Sequence, residues 1–585
     1  MKLPLLTLLI LLFIACSEKP KPEDFDLETQ FEKSGGTQTP EYEEVIGYYK
    51  KLDSAYVSIK TYEIGTTDSG FPLTLITYNP DRSLESEFSE NKNAVRILIN
   101  NGIHPGEPDG IDATMMLMRD LASGKLKTPE NIWIGAIAVY NIGGALNRNS
   151  TSRTNQNGPE VYGFRGNARN FDLNRDFIKA DTYNARSFAE IYHLINPDVL
   201  IDNHVSNGAD YQYVLTHLFT QHNKLGGDLG RYLNSEMHPQ LEDSLEAKGW
   251  PITPYVNVFN EVPEVGFTQF MDYPRYSTGY STLWNTLGMM VETHMLKPYK
   301  PRVEGTYELM KSMMNIASKD GAQIKKMRAI RDSVYKSGTQ TGKYYVLGFN
   351  VDSTQTTPFL FKGFEGEKIT STVTGLERLK YDRTKPFTKE VTYYDTMKPV
   401  DSVIIPKMYS IPQGYHRVLE RLKENNIEVV RLTRDTTIHA EVYHIEGYQT
   451  RQAPYEGHYL HYATKVNSIT EEVQLREGDY LVKTAQSGLR YLLETLEPAG
   501  VDSFFNWNYF DTILQQKEGF SPYVWEDKAQ ELLNSDAELK KEFEAKKQTD
   551  ADFSKNWYAQ LDWLHKRSAN YEKAHLRYPV FRIRN

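Results

Sequence analysis

A chain of 585 residues with 39% hydrophobic and 12% aromatic content can bury a sizeable core and is long enough for two domains or more. Its formal net charge of -10 comes from interspersed Lys, Arg, Asp and Glu, a solvated acidic exterior with no basic stripe, which argues against a nucleic-acid partner. The single cysteine, Cys16, rules out a disulfide scaffold and Cys-rich zinc fingers.

Met1 and Lys2 lead into an apolar run over residues 3–15 that closes on Cys16. This resembles a bacterial lipoprotein signal, with 1–15 as the signal peptide and Cys16 as the lipidated residue. The run falls well short of the roughly 20 residues that span a bilayer. The membrane would then be met through an N-terminal lipid anchor only, on the periplasmic face or the outer surface of the cell envelope. Lipidation would also remove Cys16 as a nucleophile. Residues 16–39, polar and rich in Pro, Glu and Lys, read as a tether.

From 40 to 300, short apolar runs alternate with helical stretches, the pattern of an α/β sheet layered by helices. Residues 94–100 (AVRILIN) predict a buried strand, 109–121 (DGIDATMMLMRDL) an amphipathic helix and 133–140 a second strand. A helix is expected over 183–195 and a strand over 199–202, and residues 287–294 form a further apolar strand. In open α/β sheets a ligand crevice forms beyond the carboxyl ends of the strands. The remainder, 301–585, reads as a separate α+β accessory region. It has a charged helix over 307–334, strand patterns over 342–403, a helix over 413–425, a strand over 427–432 and a Lys/Glu-rich surface helical stretch from about 535.

The first strand runs into Asn101-Gly-Ile-His104-Pro-Gly-Glu107, a turn that can aim an imidazole and a carboxylate at one point. Zinc accepts both. His204, after the strand at 199–202, would stand at the same end of the sheet, supply a third ligand and leave a fourth position for water. Between them lies the stretch 165–177 (RGNARNFDLNRDF), where an Asn-Arg pair can clamp a carboxylate with matched guanidinium geometry. Glu292 is an acid in an apolar strand, costly to bury unless a partner neutralises it or its raised proton affinity is used. His217 and His222 read as ordinary helix-surface histidines.

These features, in this order, resemble the zinc carboxypeptidase family, the carboxypeptidase A/B-like metallocarboxypeptidases: H-x-x-E at 104–107, an NPDG-like turn at Asn141-Ile-Gly-Gly144, an R…DLNR block, a DxH-type His204 and the late-strand Glu292. The resemblance covers about 40–300. It implies a mixed-sheet α/β/α catalytic domain of the phosphorylase/hydrolase-like fold and one zinc ion per chain on His104, Glu107 and His204. By the same resemblance, Asp172 orients a ligand histidine and Arg165 polarises the scissile carbonyl. Asn174 and Arg175 bind the C-terminal carboxylate of a peptide substrate, Tyr276 closes over it with Tyr280 and Tyr273 as rivals, and Glu292 is the general base. Two departures stand out: Asn170 where the family usually has Gly, and NIGG for NPDG. Alternatives are a zinc-dependent deacylase or amidase on the same scaffold, which also keeps H-x-x-E and Asn-Arg, and a non-catalytic surface binding protein. There is no HExxH and no G-x-S-x-G.

Overall fold

The computed structural model describes residues 22–79, 94–129, 131–206 and 208–584. The expected signal peptide, residues 1–15, and Cys16 lie outside the described residues. An eight-stranded mixed sheet forms the centre: β1 (Ile59–Ile64), β2 (Leu73–Tyr78), β3 (Val95–Asn100), β4 (Ile132–Ile137), β5 (Val199–Ser206), β6 (Leu215–Phe219), β7 (Ile252–Pro254) and β8 (Leu287–His294), in the order β1-β2-β4-β3-β5-β8-β6-β7. The central four, β4-β3-β5-β8, are mutually parallel and buried, which accounts for their near-continuous apolar sequences.

Helices cover both faces, and the pleat shows which. Helix α1 (Asp109–Ala122) and the long α2 (Tyr299–Lys336) pack together, and a Cβ at Gly321 would strike Val95 of β3. Gly135 pairs with Leu98, whose side chain points away from that face, and a Cβ there would strike Ile195 at the end of the helix Tyr183–Ile195. The α/β/α expectation therefore holds, and the helices at 109–121 and 183–195 appear where the apolar periodicity put them.

Other boundaries move. His204 lies within β5 rather than after it, because parallel pairing with β8 continues through Ser206↔His294. Only Val430–Arg431 of the expected strand at 427–432 pairs. The tether reading fails for the described part of 16–39: Thr29 closes a capping box on the short helix Gln30–Lys33, and Phe31, 4% exposed, packs edge-on to Tyr299. Nor does the first layer end at 300, since α2 buries Val303, Leu309, Met310 and Met313 in the same apolar core as β3 and β5.

Beyond α2, a long hairpin pairs Thr357–Thr370 with Glu377–Tyr394, and a second, six-stranded sheet includes Thr436–Thr450 and His461–Leu475. The final helices are more than surface: Trp525, Phe543, Phe553, Leu561 and Leu564 enclose a small core of their own. Among the described residues, no helix is long and apolar enough to cross a membrane.

Candidate metal centre

The parallel strands β3, β5 and β8 end together, with His204 paired to Glu292 across the β5–β8 ladder. The turn after β3 brings His104 and Glu107 to the same edge. Nδ1 of His104 and Nδ1 of His204 each lie 3.3 Å from Oε2 of Glu107, and all three side chains are at most 4% exposed. Each imidazole is held from behind through Nε2. His104 meets Oδ1 of Asp172 at 3.0 Å, and His204 meets Oδ2 of Asp202 at 2.9 Å. Two carboxylates thus turn both Nδ1 atoms toward one point, where Nη1 of Arg165 also reaches Nδ1 of His104 at 3.3 Å, and such backing sets tautomer and basicity in a histidine-ligated metal site. Two nitrogens and one oxygen at roughly the edge length of a zinc tetrahedron fit that ion.

Arg153 was not anticipated: its Nη1 donates to Oε1 of Glu107 at 2.8 Å. Burial alone would raise the Glu107 carboxyl, yet Arg153 and His104 hold it well below the usual range. Burial likewise opposes the charged form of Asp172, but His104, Arg165 and Arg175 keep it ionised. His204 shows the mirror case, with Asp202 raising its proton affinity well above the usual value against the effect of burial. Glu292 is the exception among the carboxylates. Burial, with the negative Glu107 nearby, raises it despite His204 and Arg165, so this acid readily carries a proton.

Arg165 donates through Nη2 to Oδ2 of Asp172 at 2.8 Å, and its Nη1 lies 3.6 Å from Oε1 of Glu107, so its guanidinium is aimed at the ligand cluster. Asp172 caps the short 3-10 turn Leu173–Arg175 by accepting from the Asn174 N–H, which fixes the next two residues. The Arg175 guanidinium lies 4.6 Å from the centre of the Tyr276 ring. His104, Glu107, His204, Arg165, Asn174, Arg175, Tyr276 and Glu292 all line one cavity of about 590 Å³, together with the unanticipated Arg153 and Tyr255. Asp172 stands behind it. Of the rival tyrosines, Tyr280 is 1% exposed and donates to Asn425, a packing residue. Tyr273 instead sits 5.2 Å from the Lys224 ammonium.

Both departures have local causes. Asn170 has φ +64°, the left-handed region that Gly enters freely and Asn tolerates best among the other residues. In the NIGG turn, Asn141 accepts from the Gly144 N–H and donates to the carbonyls of Ile103 and Arg165, while Gly143 and Gly144 sit so near residues 164–168 that any Cβ would clash. That turn locks the H-x-x-E loop to the Arg165 segment. The surface reading of His217 fails: it lies on β6 and is 4% exposed. His222 does begin a short helix, His222–Leu225.

No protein-family model matches the chain. It is similar to a carboxypeptidase 2 of Trichophyton rubrum, 22% identical over 502 residues, which are 80% of this chain and 84% of that protein. A carboxypeptidase 2 of Trichophyton equinum is 23% identical over 501 residues with the same shares. Among solved structures, a metallo-carboxypeptidase from Burkholderia cenocepacia aligns at 14% identity and a TM-score of 0.35, over 48% of this chain and 68% of that one. A carboxypeptidase A from Helicoverpa armigera aligns at 12% and 0.37, over 48% and 74%.

Proposed function

We infer that this chain is a hydrolase of the zinc carboxypeptidase family, and propose that it cleaves peptide bonds near a free C-terminal carboxylate with one catalytic zinc ion on His104, Glu107 and His204. One observation carries the reading: three converging ligand atoms share a single cavity with Glu292, Arg165, Asn174 and Arg175. The carboxypeptidase-named relatives, matched over four fifths of this chain, support it against a deacylase or a binding protein.

When bound, zinc supplies Lewis-acid polarisation of a carbonyl and lowers the proton affinity of water. The chain's own groups do the rest. Glu292, ionised at the start and with a raised proton affinity, takes a proton from the attacking water and returns it to the departing amine nitrogen. Arg165, aimed at the ligand cluster by Asp172, neutralises charge that develops on the carbonyl oxygen. Arg175 presents a guanidinium to the substrate carboxylate, with Asn174 beside it and Tyr276 over it.

Hydrolysis of blocked dipeptides with free or amidated C-termini, for wild type and Glu292→Gln, tests this. Cleavage should require the free carboxylate, depend on added zinc and fall by at least about 100-fold in Glu292→Gln. Equal cleavage of amidated peptides, or an unimpaired Glu292→Gln, rules it out. We also propose export and lipid anchoring through Cys16 to the cell envelope. Labelling with a radioactive fatty acid should mark the wild type and miss Cys16→Ser.

A further inference from the structure

We propose that the chain carries a second divalent-metal site, on the opposite face of the sheet from the first, formed by His217 of β6 together with His238 and Glu242 of the helix His238–Glu246. The ligand set is of the kind that takes zinc.

Three lone-pair-bearing atoms face one another there. Nε2 of His238 lies 2.9 Å from Nε2 of His217 and 3.0 Å from Oε1 of Glu242, and the third edge, His217 to Glu242, is 3.6 Å. Zinc with nitrogen and oxygen ligands at about 2.0–2.1 Å would set such atoms roughly 3.3 Å apart. The observed edges bracket that value, and the catalytic trio shows 3.3 Å on both of its edges to Glu107. The hydrogen-bond alternative is poorer. With neutral imidazoles, a favourable contact between the two facing nitrogens leaves one proton for all three atoms: on His238 it must serve both His217 and Glu242, and on His217 it leaves His238 and Glu242 with facing lone pairs. A divalent cation satisfies all three atoms at once.

Local structure explains how the sequence brings them together. His217 pairs with Val291 and its neighbour Thr216 with Glu292, so alternation along β6 puts His217 on the opposite face of the sheet from the catalytic base. The i,i+4 spacing sets His238 and Glu242 on one side of their helix. Immediately before His238 the chain forms a π-helical turn, Leu233–Met237, an irregularity of a kind that recurs at functional sites. A cavity of about 30 Å³ adjoins the cluster, bordered also by His222, Asn234, Gln269 and Asp395. That leaves room for a water as a fourth ligand. His217 is buried, whereas the Glu242 side chain is 40% exposed and gives the ion a way in. An ion there would pin the helix to β6, the strand hydrogen-bonded to β8 beside Glu292, and so act as a structural metal for the catalytic edge.

The test is zinc content per chain of the full-length protein, stripped with chelator and reloaded. About two equivalents are expected in wild type, and about one in His104→Ala/His204→Ala, where only the second site survives. About one is expected in His238→Ala, with peptide hydrolysis retained and the unfolding temperature lowered. Glu242→Gln, at a part-exposed position, keeps the question open to an answer if His238→Ala does not fold: its visible absorption after cobalt(II) loading should lose the second-site bands. A single equivalent that vanishes in His104→Ala/His204→Ala would overturn the proposal, as would a second equivalent that persists in both His238→Ala and Glu242→Gln. Neither result counts against the catalytic reading, which rests on the other three ligands.

Discussion

The carboxylate of Glu456, from the second half of the chain, accepts a 2.8 Å hydrogen bond from the backbone N–H of Asp172, whose own side chain holds both His104 and Arg165. Around it Glu456 adopts φ +48°, Gly457 packs so closely on Phe171 that a Cβ would clash, and His458 bonds Asp181 at 2.6 Å. The second half of the chain therefore props the loop that carries Arg165, Asn174 and Arg175. Glu456→Ala is expected to lower kcat/KM about 10-fold, the worth of about 1.4 kcal/mol of lost positioning. Zinc content should be unchanged. Glu456→Gln keeps an acceptor oxygen and should stay within about 2-fold of wild type. Steady-state kinetics with parallel metal analysis decide it, and an unimpaired Glu456→Ala would mean that the contact is incidental.

Asp202 offers a separate handle on the metal. It receives Nδ2 of Asn100 at 2.9 Å and the Ser277 hydroxyl, and with those partners it orients His204. Asp202→Asn should weaken zinc binding about 10- to 100-fold, since an amide neither stabilises the imidazole nor fixes its tautomer as a carboxylate does. Competition with a chromogenic chelator measures this directly. An unchanged affinity would show that His204 is held by packing alone.

Much of this site could be read in the sequence because its parts sit on short connections from buried strands. The apolar runs ending at Asn100 and near His204 identify one sheet edge, and the turn after Asn100 allows only a few aims for His104 and Glu107. Asp202 was within reach too: it stands two residues before His204, and period-two alternation puts both on one face. Arg153, Tyr255 and Glu456 were not. Arg153 reaches Glu107 across 46 residues with no periodic signal in the chain between, and Glu456 reaches Asp172 across 284. His217 was misplaced for a different reason. The run of residues 215–219 (LTHLF) is short enough for helix and strand to look alike, and only pairing with β8 makes it a buried strand.

The proposed carboxylate clamp can be separated from general binding. Arg175 has its planar guanidinium near the Tyr276 ring and donates through Nη1 to the Asn174 carbonyl at 2.8 Å, so it is held before any substrate arrives. Arg175→Lys keeps the charge and loses the fork. For free-acid peptides KM should rise about 10- to 100-fold, in line with the 1.5–3 kcal/mol of a hydrogen bond to a charged group, while the small residual rate on amidated peptides barely moves. A matching loss on both substrate types would refute the assignment.

The pH dependence of stability should carry the mark of Asp112. This residue of α1 is fully buried. Tyr299 donates its hydroxyl to Oδ2. Burial pushes the carboxyl up from 3.8 to about 7, with Asp109 adding to the rise and the hydroxyls of Tyr299 and Thr39 opposing it. Between those values the folded chain binds more protons here than the unfolded chain. Its contribution is therefore intact below about pH 4 and is lost as pH rises through about 7. Asp112→Asn has no proton to lose. Its stability relative to wild type should rise between pH 4 and pH 8, by up to about 4 kcal/mol if the whole shift is expressed. Asp198, whose carboxyl is lowered by Arg328 and Lys325 although burial opposes it, contributes with the opposite sign in both proteins and cancels in the comparison. Urea unfolding of the two proteins at matched pH values gives the difference. A curve that stays flat from pH 4 to pH 8 would show that Asp112 is ionised in the folded chain.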